Sequence, residues 1–173
     1  FPSNIQGLPT WYEIRVNKNG YTARTPHFDL MLALNAATYA KDVAEVGSGG
    51  YLMFDSSWPL DDKLKRPDVT YLGVPLAEMC NAAFKGVRER ILMKNIAYAG
   101  ALAALIGMDI EVISALTKEK YAAKKPLLDS NEKAIALGYD YAKAHFQCPL
   151  PIHLEKMDET KDSILIDGNT AAA

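Results

Sequence analysis

Cysteine is scarce in this sequence: Cys80 and Cys148 are the two in 173 residues, and they stand far apart. No CxxC or CxxxC pair and no His/Cys cluster occurs, so the chain offers no zinc or iron–sulfur site of its own. A chain of this length needs no disulfide staple. Both cysteines are therefore read as small buried or half-exposed thiols of a protein in a reducing cytoplasm. Long apolar runs are missing too. The longest, Ile96–Ile106, is broken by Gly100 and falls short of the roughly 20 residues that span a bilayer. No basic stretch leads into an apolar one, so neither a signal peptide nor a membrane partner is expected. An excess of one charge is likewise absent. The 19 Lys and Arg against 21 Asp and Glu leave a net charge of −2, which argues against a nucleic-acid-binding surface.

What remains is a normal globular balance, 49% hydrophobic and 23% charged, in a length suited to one domain. Thr10–Val16 alternates and is rich in β formers, Asn17-Lys18-Asn19-Gly20 is a turn, and Tyr21–Arg24 can return. The Asn-Gly pair makes this a predicted β-hairpin. Phe28–Leu34 is a nearly continuous apolar run, as expected of a strand buried on both faces. Asn35 is placed to cap a helix over Ala36–Val46, with Ala36, Tyr39, Ala40, Val43 and Ala44 at helical spacing. Gly47-Ser48-Gly49-Gly50 is read as the end of that helix. Tyr51–Phe54 and Val69–Val74 are the second and third buried strands, joined by a polar connection over Asp55–Asp68. The second half reads as helical: Leu76–Phe84, Met93–Ile106 ended by Gly107, Ile110–Tyr121 capped by Asp109, and Asn131–His145 capped by Ser130. The expected fold is α/β, a three-layer α/β/α sandwich on a largely parallel or mixed sheet, with a hairpin near the N-terminus and a helical C-terminal half.

Candidate chemistry is thin. Gly47–Gly50 invites a phosphate loop, but it leaves a helix and enters a strand, whereas a phosphate cradle needs amides at a helix N-terminus. His27, His145 and His153 form no i, i+4 pair and have no Glu at metal-site spacing. No GxSxG elbow is present. Open α/β sheets bind ligands beyond the C-terminal ends of their strands. That edge carries Asn35, Asp55 and Ser56, which are also good cap and turn residues. Arg88, Arg90 and Lys94 could meet an anion or an acidic partner, or form a solvated basic face. Trp11, Tyr12 and Trp58 are of the type that anchors interfaces.

Four segments taken in order carry a resemblance: Asn4–Val16 (NIQGLPTWYEIRV), Phe28–Asn35 (FDLMLALN), Gly50–Pro59 (GYLMFDSSWP) and Lys94–Leu102 (KNIAYAGAL). Together the chain resembles the gamma-type domain of 2-oxoacid:ferredoxin (acceptor) oxidoreductases, nearest to the fused gamma–alpha subunit of the 2-oxoglutarate type. The resemblance implies domain bounds of 1–146 for the gamma-type unit, without the family's glycine-rich opening segment. A linker over 147–163 and the start of an alpha domain over 164–173 would follow. A piece of a longer polypeptide is therefore expected, since the sequence opens at Phe1 and stops at Ala173. The resemblance also implies oxidative decarboxylation of a 2-oxoacid with coenzyme A, to acyl-CoA, carbon dioxide and reduced ferredoxin. Thiamine diphosphate, magnesium and iron–sulfur clusters would be carried by the intact complex, and this chain alone would bind no cofactor and not be active. Its partners would be a thiamine-binding beta subunit, the alpha domain, ferredoxin or a similar acceptor, and homo-oligomer contacts. The domain would be architectural or would contact coenzyme A through Asn35, Asp55, Ser56, Arg88, Lys94 and Asn95. Asn95 falls in the Asn-Ile-Ala-Tyr-Ala-Gly stretch and could equally make a buried structural hydrogen bond. Two readings compete: a non-catalytic nucleotide or coenzyme A-binding module, and a structural domain that dimerises through its hairpin and aromatics.

Overall fold

The computed structural model describes residues 9–21, 23–157, 161–164, 166 and 168–172. Three strands, β1 (Phe28–Ala33), β2 (Val46–Asp55) and β3 (Thr70–Val74), form a parallel sheet in the order β1-β2-β3. The helices are α1 (Tyr39–Glu45), α2 (Leu76–Ala83), α3 (Val87–Leu105), α4 (Ile110–Tyr121), α5 (Lys125–His145) and the short α6 (Gly168–Ala172).

The strands are apolar on both faces because helices cover both. Leu52 and Phe54 join Met31, Tyr39, Val43 and Val69 on the α1 side. Met53, Leu72 and Val74 alternate to the other side and pack with Leu76, Phe84, Met93, Ala97 and Leu105. This is the three-layer arrangement expected from the sequence. Asp55 ends β2 two residues after Met53 and so turns to the α3 side.

α3 and α5 cross at two glycines. A Cβ on Gly100 would lie 2.0 Å from the Ile135 carbonyl oxygen, and one on Gly138 would lie 1.9 Å from that of Ala97. Only hydrogen fits there, so the backbones themselves touch. Gly107 ends α3 with φ 70, a left-handed conformation that glycine takes without steric cost.

Five local expectations are corrected. The turn at Asn17–Gly20 exists: the Asn17 side chain accepts from the Asn19 and Tyr21 amides and donates to the Tyr21 carbonyl. No strand ladder flanks it among the described residues. Ile14 and Val16 are exposed there, and a lone hairpin with no face to bury is marginal in water. Glu13–Arg24 and Arg15 to the Ala23 carbonyl join the two arms instead. The glycine run does not end α1 in a turn; it opens β2. Gly49 has φ 79, and the register slips between Phe28 paired with Val46 and Leu30 paired with Tyr51. The run is a bulge. α1 buries Tyr39 and Val43 of the expected stripe, but Ala36, Ala40 and Ala44 are exposed and Asp42 is buried beside Val43. α3 starts at Val87, because its charged first turns hide the apolar period. α5 starts at Lys125, with a proline in its first turn, so Ser130 lies inside it and donates to Glu89 at 2.7 Å.

The stretch read as a linker begins with a packed segment. Leu150 is buried, its amide donates to the Leu105 carbonyl at 2.7 Å, and Leu154 donates to Ile106 at 2.8 Å. The expectations that fall on residues 1–8, Thr22, Asp158–Thr160, Leu165, Asp167 and Ala173 lie outside the described residues.

Candidate functional site

The C-terminal edge of the sheet places Asn35, Asp55-Ser56-Ser57 and Pro75 after β1, β2 and β3. Asp55 is its centre and is 1% exposed. Its Oδ1 accepts from the Ser57 amide at 3.1 Å and from the Ala77 amide at 3.3 Å. The Ser57 hydroxyl accepts from the Glu78 amide at 3.1 Å. Two of the open amides of α2 are thus capped from the end of β2, and the carboxylate suits that positive helix end. Oδ2 has no hydrogen-bond partner, and Lys94 Nζ stands 3.7 Å from it. Lys94 reaches in from the second turn of α3 with its side chain 26% exposed.

The charge of Asp55 is felt around it. Tyr98, one turn beyond Lys94, donates to the Ala33 carbonyl at 3.2 Å. Burial first, and then the negative charge of Asp55, push its pKa well above the ordinary tyrosine value. Tyr39 is raised by burial, then by Asp55 and Asp42. The Cys80 thiol is raised by burial and by Asp55, against Lys94. Burial also raises Cys148, whose thiol donates to the Ala142 carbonyl at 3.4 Å. Neither thiol is poised as a nucleophile.

Of the six residues singled out from sequence, the structure brings Asp55 and Lys94 into contact. Asn35 is at the same edge, where its side chain accepts from the Ala37 amide at 3.0 Å and caps a 3-10 turn. Ser56 is exposed, and its amide donates to the Val74 carbonyl at 3.0 Å. Arg88 is exposed at the start of α3, about 9 Å along the helix axis from Lys94. Asn95 is exposed, which removes the reading of a buried hydrogen bond. Two residues escaped sequence reasoning. Tyr98 was hidden in an apolar run. Asp42 is 1% exposed and is held by Trp11 Nε1 at 2.8 Å and the Thr38 hydroxyl at 2.7 Å, with Lys41 Nζ 3.5 Å above the Trp11 ring.

Elsewhere, an open depression of about 530 Å³ lies beside His27, Ser48 and Arg66. Arg66 is engaged by the Val43 and Val46 carbonyls and by Asp68. No group of three or more His, Cys, Asp or Glu among the described residues could hold a metal ion. No helix among them is long and apolar enough to cross a membrane.

With this geometry in place, the chain can be set beside known proteins. Subunit alpha of 2-oxoacid:ferredoxin oxidoreductase 2 from Aeropyrum pernix is 23% identical over 86% of this chain and 29% of its own length. A solved structure, 2-oxoglutarate:ferredoxin oxidoreductase from Magnetococcus marinus with 2-oxoglutarate, coenzyme A and succinyl-CoA bound, shares the fold. It has a TM-score of 0.67 and 24% identity over 83% of this chain and 24% of that one. The chain therefore spans less than a third of the length of either relative. Residues 1–141 match the family described as pyruvate ferredoxin/flavodoxin oxidoreductase, and the chain belongs to that family.

Proposed function

We propose that this chain is the gamma-type domain of a thiamine-dependent 2-oxoacid:ferredoxin oxidoreductase, and that the intact enzyme acts on 2-oxoglutarate. In that reaction the 2-oxoacid loses carbon dioxide and its acyl group passes to coenzyme A as a thioester. Two electrons leave to ferredoxin and one proton, that of the coenzyme A thiol, to solvent. Thiamine diphosphate, when bound in the complex, supplies the carbanion stabilisation. The described residues of this chain do not fit a magnesium or iron–sulfur site. Cys80 and Cys148 have raised thiol pKa values, and no group of three or more His, Cys, Asp or Glu gathers among those residues. We assign those groups to partner polypeptides, the beta subunit among them, and place the enzyme in the cytoplasm.

The observation that carries this reading is the family match over residues 1–141. What supports a scaffold role within it is the sheet edge. Asp55 and Ser57 accept from the α2 amides, and Asn35 caps its own turn, so these groups hold the fold. A second reading, contact with a coenzyme A phosphate, is favoured by Lys94, a partly exposed ammonium at the edge where α/β folds take ligands.

The test is turnover of the intact complex with coenzyme A and ferredoxin, offering 2-oxoglutarate, pyruvate and branched 2-oxoacids in turn. Selective reduction of ferredoxin with 2-oxoglutarate is expected. Inactivity toward all of them refutes the proposal. Titration calorimetry of coenzyme A against the complex and its Lys94→Met variant separates the two roles. Unchanged affinity leaves the scaffold, and a tenfold loss gives Lys94 a ligand.

A further inference from the structure

α3 is packed on two sides and open on a third. Lys94, Tyr98 and Met93 turn to the sheet, and Gly100 and Ala97 meet α5. The remaining stripe is Arg88, Ile91, Leu92, Asn95 and Ala99, at helical spacings of three and four, and all five are exposed. Ile91 is 63% exposed, Leu92 49%, and Val87 beside them 72%. A surface helix carries charge on its outer face. Here Arg88 is the one charged residue of the stripe, and from Asn95 to Leu105 α3 has no charge at all. Scattered exposed apolar residues need no explanation, whereas a contiguous patch, here Val87, Ile91 and Leu92, is the mark of a covered face.

Comparison within the molecule sharpens this. α4 also exposes Val112 and Leu116, but Glu111, Lys118, Glu119 and Lys120 solvate that helix. On α3, Arg90 donates to the Phe84 carbonyl and Lys94 faces Asp55, so neither charge serves the stripe. Its rim is basic at the N-terminal end, where Lys85 and Arg88 are exposed. Glu89, the acidic residue of the first turn, is drawn aside by Ser130 at 2.7 Å.

We infer that the outer face of α3, centred on Ile91 and Leu92, is the seat of the alpha-type region of the oxidoreductase subunit, docked through an apolar patch with an acidic rim. The inference rests on the proposed function. Two observations select this occupant. The relatives carry more than two thirds of their length outside the matched part, and the basic rim is complementary to an acidic partner.

The experiment uses the assembled complex, purified through a tag on this chain from its own cells. A photo-crosslinking benzoylphenylalanine is placed at Ile91, and in parallel at Lys118 on α4 as a control. Mass spectrometry identifies the captured peptides. Capture of alpha-type sequence from position 91 and not from 118 is the expected result. Capture of a second copy of this chain, or no capture at 91 while alpha and beta polypeptides co-purify, overturns the inference and leaves the proposed function standing. Absence of any oxidoreductase polypeptide from the purified complex overturns both. As a second measurement, with the photo-crosslinker moved to Arg88, the Ile91→Glu/Leu92→Glu variant is expected to reduce capture of alpha-type peptide at least tenfold with unchanged helical circular dichroism. Capture within twofold of that from the unsubstituted face counts against the inference.

Discussion

Gly138→Ala puts a single methyl group into the tightest place in the fold, and two effects of opposite sign decide its outcome. In a helix interior alanine is favoured over glycine by about 1 kcal/mol. A variant judged on helix propensity alone would therefore be more stable than wild type. The geometry says otherwise. The new Cβ would lie 1.9 Å from the Ala97 carbonyl oxygen, 2.8 Å from its carbon and 2.9 Å from the Ala101 amide nitrogen. All three are backbone atoms of a helix packed on the sheet, so no side-chain rotation relieves the contact. α3 and α5 must separate until 1.9 Å becomes at least 3.0 Å. That opens space along Ala97, Ala101 and Ala104 on one helix and Ala134 and Ala142 on the other, all of them buried. Overpacking costs about 1–3 kcal/mol when side chains can adjust, and the upper end or more applies to a backbone clash. After subtracting the propensity gain, a net loss of about 2–3 kcal/mol is expected.

The assay is urea unfolding followed by circular dichroism, with Gly100→Ala and the double variant alongside. Gly100 meets Ile135 at 2.0 Å in the same crossing, so one displacement of the helices relieves both clashes. The double variant should therefore cost less than the sum of the singles. Ala99→Gly, one residue away on the exposed side of α3, should lose about 1 kcal/mol from propensity alone. A Gly138→Ala midpoint equal to or above wild type would refute the close-crossing argument, because the sign itself would be wrong.

Three further outcomes are expected. Lys94→Met leaves the buried Asp55 carboxylate without its counter-charge. It should cost about 2 kcal/mol, discounted from a fully buried pair, and Asp55→Asn in the same chain should recover most of it, as a double-mutant cycle in urea would measure. Trp11→Phe removes the bond to buried Asp42 and should cost about 2 kcal/mol; limited trypsin digestion should then cut faster at Arg15, Lys18 and Arg24 while the sheet stays protected. Tyr98 and Tyr39 have folded pKa values raised above the unfolded value of 10.0. Their contribution is complete below that pH and is lost as pH rises above it, because the unfolded chain ionises first. Unfolding midpoints should fall between about pH 9 and about pH 11, less so in Tyr98→Phe, and a flat profile would contradict the assignment.

The strands and most helices were legible because each is a local pattern: FDLMLA and YLMF are apolar runs of strand length, and Asp109 caps α4 as read. The N-terminal hairpin shows the limit of such reading. Its turn chemistry is local and present, but its strands depend on a surface to bury Ile14 and Val16, and sequence alone does not say whether one exists. The first turns of α3 and α5 were missed because charge and proline mask the period before tertiary packing makes up for it. At the site, Asp55 was found by the rule that ligands gather beyond strand ends and Lys94 as a basic residue near the start of a buried helix, whereas Asn35 and Ser56 satisfied the strand-end rule and proved to be cap and turn residues. Asp42 had no sequence signal, since its partners Trp11 and Thr38 come from a distant segment and the preceding turn.

α3 links these separate features mechanically. One side of it reaches the sheet edge through Lys94 at Asp55 and Tyr98 at Ala33, another touches α5 backbone to backbone, and the third presents Ile91 and Leu92 outward. A rigid helix transmits displacement along its whole length. The separation forced by Gly138→Ala therefore moves Lys94 relative to Asp55 and shifts the outward stripe in the same step. If α3 is the element that registers this domain against the rest of its subunit, the variant should weaken crosslinking of position 91 to the alpha-type region although residue 138 lies on α5 and α3 itself is unchanged in sequence. A variant that loses stability as expected but crosslinks from position 91 at wild-type yield would separate the two, and would mean that the interface tolerates movements of α3 that the core does not.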